Sequence, residues 1–223
     1  MEVKQIKAFF MEMGIDVSEQ IYQSSIAFLD QDYDLAHQII DGDVKINAEE
    51  VQLEKMVFKT LHFQKTDEAD FRLLMSVLKA SSDLERMGDY AVHIAKQALR
   101  LRDKPHVEEA EKIIVAMTAK VRSMLEGILD AYLNEDAQSA YRIAGEDLEV
   151  DRFYLKMHRL TFSRLADDLL ELKANDSYMM VSRMLERVGD HIVNLAEWIV
   201  YSRTGRIVEL NPGKTDPALV RKG

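Results

Sequence analysis

Along most of this chain apolar residues recur every three to four positions, the period of a helix that buries one stripe and wets the other. The breaks in that pattern predict six helices, at about 2–30, 32–63, 68–102, 106–133, 136–172 and 176–203. Asp32, Asp67 and either Asn175 or Asp176 are expected as N-caps, with Gly205 as the stop of the last helix. In the sixth helix Val181, Met184, Val188, Ile192, Leu195 and Ile199 form the inward stripe. In the third, Val77, Ala80, Leu84, Met87, Ala91, Ile94 and Leu101 do the same.

The polar positions repeat as well. LERMGDY, Leu84 to Tyr90, returns as LERVGDH, Leu185 to His191, so that the pair Glu85 and Asp89 is matched by Glu186 and Asp190, 101 residues on. Each word puts a glycine, Gly88 or Gly189, in mid-helix, at a cost of roughly 1 kcal/mol relative to alanine. The second helices match too: LDQDYDLAHQIIDGDVKIN and LNEDAQSAYRIAGEDLEVD superpose Asp43 on Asp147 and Asn47 on Asp151, 104 residues apart. The chain therefore reads as a duplicated three-helix unit, broken at Pro105. The expected architecture is all-α: two tandem three-helix bundles over 1–104 and 105–205, then a flexible C-terminal tail over 206–223.

Glu186, Asp190, Asn194 and Glu197 lie about 200° around the helix from the apolar stripe, as do Glu85, Asp89, His93 and Lys96. The second helices answer with Asp43, Asn47, Glu50 and Glu54, and with Asp147, Asp151, Tyr154 and His158. Antiparallel neighbours bring such stripes side by side. Carboxylates gathered in this way repel and raise one another's pKa, so they call for protons, basic partners or bound cations. Oxygen donors on adjacent helices suit hard or borderline cations, and a glycine between the two acids leaves room for an ion or a neighbouring helix. A single ExxxD is ordinarily a solvated face with an arginine, here Arg86 or Arg187, as its partner. Two glycine-marked copies, each opposite a second acidic stripe, argue for more.

Composition narrows the chemistry. The 223 residues include no cysteine, which excludes disulfides, thiolate metal sites and a cysteine nucleophile. A formal charge of −10 argues against a nucleic-acid surface. No apolar run approaches the ~18 residues of a membrane span, and MEVKQIKAFFMEMG lacks a small-residue cleavage site, so a cytoplasmic protein is expected. GKT at Gly213 to Thr215 is no phosphate loop, because Val208 stands where the earlier glycine belongs. The 12 methionines read as core filler, and the scattered histidines form no triad.

LKASSDLERMGDYAVHIAK and VSRMLERVGDHIVNLAEWIV, with Met13 and Gly14, the Asp43, Asn47, Glu50 pattern and DFRLLMSVLK, together resemble the PhoU family of phosphate-transport regulators. The likeness runs to about Gly205. It implies two bundles related by a pseudo-twofold axis, each able to bind a multinuclear metal cluster, iron or zinc, on its acidic face. It also implies a non-enzymatic cytoplasmic regulator of phosphate uptake and phosphate-starvation signalling. The implied partners are the ATPase subunit of the phosphate ABC transporter and the sensor histidine kinase, with the membrane reached only through them. Carried over by position, the metal candidates are Asp43, Glu50, Glu85 and Asp89, then Asp147, Asp151, Glu186 and Asp190, with Asn194 and Glu197 added. The family's GDHxxNxAE is intact in the second half, whereas Tyr90, His93 and Lys96 replace His, Asn and Glu in the first. A lysine on the ligand stripe predicts tighter metal binding by the second half, with the first partly filled or empty. The polar stripes leave assembly open, with a homodimer as the candidate.

Two other functions compete. A carboxylate-bridged di-iron enzyme would use an ExxH pair aimed into a bundle core, and neither acidic stripe carries one. A metal-independent helical adaptor would instead dock basic partner surfaces on its acidic faces.

Overall fold

The computed structural model describes residues 2–102, 105–163 and 169–211. Within them run α1 (Glu2–Leu29), α2 (Tyr33–Phe63), α3 (Glu68–Arg100), α4 (Glu108–Asn134), α5 (Ala137–Ser163) and α6 (Leu169–Thr204). The first three pack on one another, and the last three do likewise. α3 against α6 and α1 against α4 join the two bundles, which leaves α2 and α5 as outer flanks. One apolar core runs through both, built from the predicted inward stripes; Met184 alone of those residues is only partly buried.

The duplication is written into the turns. α1 and α4 each end on a non-glycine residue in the left-handed region, Gln31 at φ 52° and Glu135 at φ 53°. The aspartate that follows caps the next helix. Asp32 accepts the Leu35 N–H at 2.9 Å, and Asp136 accepts those of Gln138 and Ser139 at 3.0 and 3.2 Å. Asp67 caps α3 by accepting the Asp70 N–H at 2.8 Å. The same symmetry governs the α1–α4 seam, where one contact is made in two ways. Gly14 makes room for Leu129, and at the repeated pair of positions the Thr118 hydroxyl donates to Ser25 Oγ at 2.9 Å.

Two expectations need correction. Asn175 and Asp176 do not open the last helix, because α6 already runs from Leu169, six or more residues earlier. Their polar word ELKANDS resembles a turn, since Asn, Asp and Ser compete for backbone hydrogen bonds. Here Asn175 and Ser177 are buried beside Ala174 and Tyr178, and packing overrides that preference. α5 is described to Ser163, α6 already includes residues 169–172, and residues 164–168 lie outside the described residues. The second correction concerns the tail. Gly205 stops α6 as expected, at φ 71° with its N–H on the Tyr201 carbonyl at 2.7 Å. Beyond it, Val208 and Leu210 pack on the core, so residues 206–211 lie on the second bundle and do not hang free. The rest of the expected tail, the GKT word included, lies outside the described residues. None of the described helices is long and apolar enough to cross a membrane.

Candidate functional site

On the first bundle α2 and α3 run antiparallel, with Ile46 against Gly88, and this brings all four predicted acids together. Burial pushes the Glu85 carboxyl up from its ordinary range, and Asp89, Glu50 and Asp43 push the same way; the Arg86 guanidinium opposes them. Arg86 lies 3.7 Å from Glu85 and 3.3 Å from Asp89. Asn47 donates to Asp43 Oδ2 at 3.1 Å, while Asp43 Oδ1 is shielded from solvent and accepts no hydrogen bond. His93 and Lys96, further along the same stripe, stand exposed.

The second bundle repeats the plan but closes it. Arg187 lies 3.6 Å from Glu186 and 3.2 Å from Asp190, as Arg86 does in the first. Asp147, by contrast, is completely buried, although the periodicity placed it on a wet stripe. The glycine explains how. A Cβ at Gly189 would run into Asp147 Oδ1, so the missing side chain is the space that the carboxylate occupies. At Gly88 the nearest atoms to such a Cβ are Gln20 Oε1 and Ile46 Cγ2, each at 3.2 Å. The repeated glycine thus seats a neighbouring helix in both halves, and a carboxylate in the second alone.

Asn194 and Glu197, predicted beside the second acidic pair, turn toward other partners. Asp83 on α3 accepts from Asn194 Nδ2 at 2.8 Å and from Trp198 Nε1 at 3.2 Å, and its Oδ1 lies 2.8 Å from His191 Nδ1. Glu197 accepts the Leu210 N–H at 2.9 Å, and Asn211 Nδ2 donates to the Ala144 carbonyl at 3.1 Å and to Asp147 Oδ2 at 3.4 Å. Burial pushes the Glu197 carboxyl up, Glu209 and Asp83 add to this, and the Leu210 N–H opposes it. Between these groups lies a cavity of about 460 Å³, lined by Asp147, Asp190, His191 and Glu197 and by Glu209 and Asn211 of the C-terminal segment. Sequence reasoning missed Asp83 and the segment altogether. The usable signal for Asp83 was its repeat partner, Met184: an acid in one copy of a word where the other copy is apolar marks a break in the symmetry.

Among the described residues, no three Asp, Glu or His side chains are arranged to hold a metal ion as they stand. The donor chemistry nonetheless fits one. A cation on the first face would give the shielded Asp43 oxygen a partner and relieve the repulsion on Glu85, and the acids of both faces are hard oxygen donors.

Fold and site together define a duplicated six-helix module with paired acidic faces on its outer helices. The PhoU domain model matches it twice, over residues 10–98 and 114–199. The chain is 31% identical over 211 residues to the phosphate-specific transport system accessory protein PhoU homolog of Clostridium acetobutylicum, covering 94% of this chain and 96% of that one. The corresponding accessory protein of Edwardsiella tarda is 30% identical over 92% of this chain and 84% of its own length. The crystal structure of the phosphate transport system regulatory protein PhoU from Streptococcus pneumoniae superposes with a TM-score of 0.85 at 28% identity, covering 94% of this chain and 98% of that one. PhoU from Pseudomonas aeruginosa superposes equally well, at 29% identity over 92% of this chain and 98% of its own. This chain belongs to the PhoU family, a family of accessory proteins and not of enzymes, which sets the carboxylate-bridged di-iron enzyme reading aside.

Proposed function

We propose that this chain is a cytoplasmic accessory regulator of phosphate uptake and phosphate-starvation signalling, acting by protein contacts. The partners in this reading are the ATPase subunit of a phosphate ABC transporter and a sensor histidine kinase. The observation that supports it most is the doubled PhoU match, which spans both bundles and carries both acidic faces. A regulator shifts its partner only by binding one conformation better than another, since equal affinity moves nothing. A homodimer remains part of the proposal, as an assembly that would present each acidic face twice.

The acidic faces are proposed as sites for a multinuclear iron or zinc cluster. Asp43, Glu50, Glu85 and Asp89 would hold it on the first bundle, and Asp147, Asp151, Glu186 and Asp190 on the second, with Asn194 and Glu197 beside them. A bound cation would supply positive charge that neutralises the acids and bridges the outer helix to the inner one. The metal-independent adaptor is the second reading, and the self-contained ion pairs of Arg86 and Arg187 favour it. Metal content per chain, measured by plasma mass spectrometry on untagged protein, separates the two. The metal reading expects several ions per chain, reduced by Glu85→Ala with Asp89→Ala and reduced again by Glu186→Ala with Asp190→Ala. Substoichiometric metal in a folded wild-type chain would leave the adaptor. Co-purification of the ATPase from cell extract, with and without chelator, then tests whether the ions serve the contact.

A further inference from the structure

The two faces differ most in what lies over them. Among the described residues, the second face alone carries a segment of the chain's own backbone whose donors point at its acids. Leu210 gives its N–H to Glu197, Asn211 gives its side-chain amide to Asp147, and Val208 and Leu210 anchor the segment on apolar neighbours. Gly205, at φ 71°, makes the reversal that sends the chain back along α6. On the first bundle the matching stripe ends in exposed His93 and Lys96.

We propose that residues 206–211 are a built-in competitor for the second acidic face: a strap whose N–H donors occupy the carboxylate oxygens of Glu197 and Asp147 that a cation would otherwise take. This rests on the reading of that face as a cation site. The strap gives one oxygen of Glu197 and one of Asp147 a donor while no cation is present, and a cation that uses the same oxygens must lift it. The strap is poised and not locked. Its own Glu209 brings a further negative charge into the shared cavity, beside Glu197, so docking gathers like charges while it makes hydrogen bonds. Because the coupling is reciprocal, whatever factor the strap takes from cation affinity, the cation takes from strap closure. On this reading the cover opposes the tighter binding that the intact donor set of the second face leads one to expect.

The test uses the full chain carrying Glu85→Ala and Asp89→Ala, which isolates the second face, against the same chain ending at Gly205 and against Asn211→Ala. Mn²⁺ is titrated calorimetrically into each, and amide hydrogen exchange is followed at Leu210 in the full-length form. Removal of the strap is expected to tighten Mn²⁺ binding about tenfold and Asn211→Ala about threefold, while saturating Mn²⁺ accelerates exchange at Leu210. The Asn211 variant and the exchange readout stand even where the shortened chain folds poorly. Unchanged affinity with unchanged exchange overturns the strap and leaves the cation site. Weaker binding without the strap also overturns it, since the segment would then be supplying ligands. No Mn²⁺ uptake at the second face by any form overturns the cation reading of that face and the strap with it.

Discussion

The first and second acidic faces descend from one pattern and differ in their surroundings. Both keep the ExxxD pair, the arginine between its acids and the glycine before the second acid. On the first, the acids crowd one another at a partly wet groove, and repulsion falls on Glu85. On the second, Asp147 is drawn under the helix, Asp83 of the other bundle collects three donors, and the C-terminal segment closes the rim. Duplication supplied two copies of a charged motif, and the second differs from the first both in how α5 packs on α6 within its own unit and in neighbours from outside that unit. Asp83 and Leu210 lie outside the motif they modify.

Asp83 offers the largest way to break this difference. Its carboxylate accepts from Asn194 and Trp198 and pairs with His191, all three on α6, and it is mostly buried. Asp83→Ala leaves three donors facing an empty space and is expected to cost about 3 kcal/mol, since a hydrogen bond to a charged group contributes roughly 1.5–3 kcal/mol and such losses do not add fully. Met184→Ala, at the repeated position, removes a half-buried apolar side chain and should cost about 1 kcal/mol. Denaturant midpoints of the two variants decide it. Equal losses would mean that Asp83 is an ordinary surface acid.

The paired glycines come next. An alanine at Gly189 collides with Asp147 Oδ1, the end of a short, fully buried side chain. Overpacking of this kind costs about 1–3 kcal/mol, against which the helix gains about 1 from losing its glycine. At Gly88 the crowded atoms are the flexible tip of Gln20 and a methyl of Ile46, each at 3.2 Å, and the same helix gain applies. Gly189→Ala should therefore lower the thermal midpoint by several degrees while Gly88→Ala leaves it nearly unchanged. A fall of the same size in both would show that the two glycines serve only helix approach.

The contrast between the faces also marks where periodicity stops being informative. Helical spacing gave the inward stripes and nearly all the helix ends, because apolar burial at a fixed period depends on local sequence alone. It erred on Asn175 and Asp176, where a turn-like polar word lies inside α6 because the other bundle helices bury it. It placed Asp147 on a wet stripe, because period says which side of a helix a residue takes and not how close the next helix comes. The contacts of Asp83 and Asn211 join residues more than sixty positions apart, which no local pattern reports.

Charge gives a third, smaller test. Folding raises the Glu85 pKa, chiefly by burial and then by Asp89 and Glu50, so the folded chain holds that proton more tightly than the unfolded one. The stability from this group is fully present below the unfolded glutamate range, about pH 4, and is lost as pH rises through the raised value. Glu85→Gln, which keeps the shape without the charge, should be more stable than wild type at pH 7 and indistinguishable from it below pH 4. Urea midpoints across that range would refute this if the gap stayed constant or widened in acid.

The smallest effect belongs to the turn that the halves share. Gln31 and Glu135 both hold the left-handed conformation at the end of the first helix of their unit. A non-glycine residue pays roughly 1–2 kcal/mol there, and glycine avoids it at the cost of a looser unfolded chain. At Glu135 the side chain returns something, through Lys7 at 2.6 Å and Arg203 at 3.2 Å, and these pairs hold its carboxyl below the usual range. Gln31 has weaker ties, to exposed His106 at 3.1 Å and to the Tyr33 hydroxyl at 3.0 Å. Gln31→Gly should therefore stabilise the chain by about 0.5 kcal/mol, whereas Glu135→Gly should gain nothing or lose, because the relief of strain is offset by the loss of both ion pairs. The two variants share a backbone geometry and differ in side-chain partners, so opposite signs in their melting shifts would isolate the contribution of Lys7 and Arg203. Matching gains would mean that the ion pairs on Glu135 contribute nothing that solvent does not already provide.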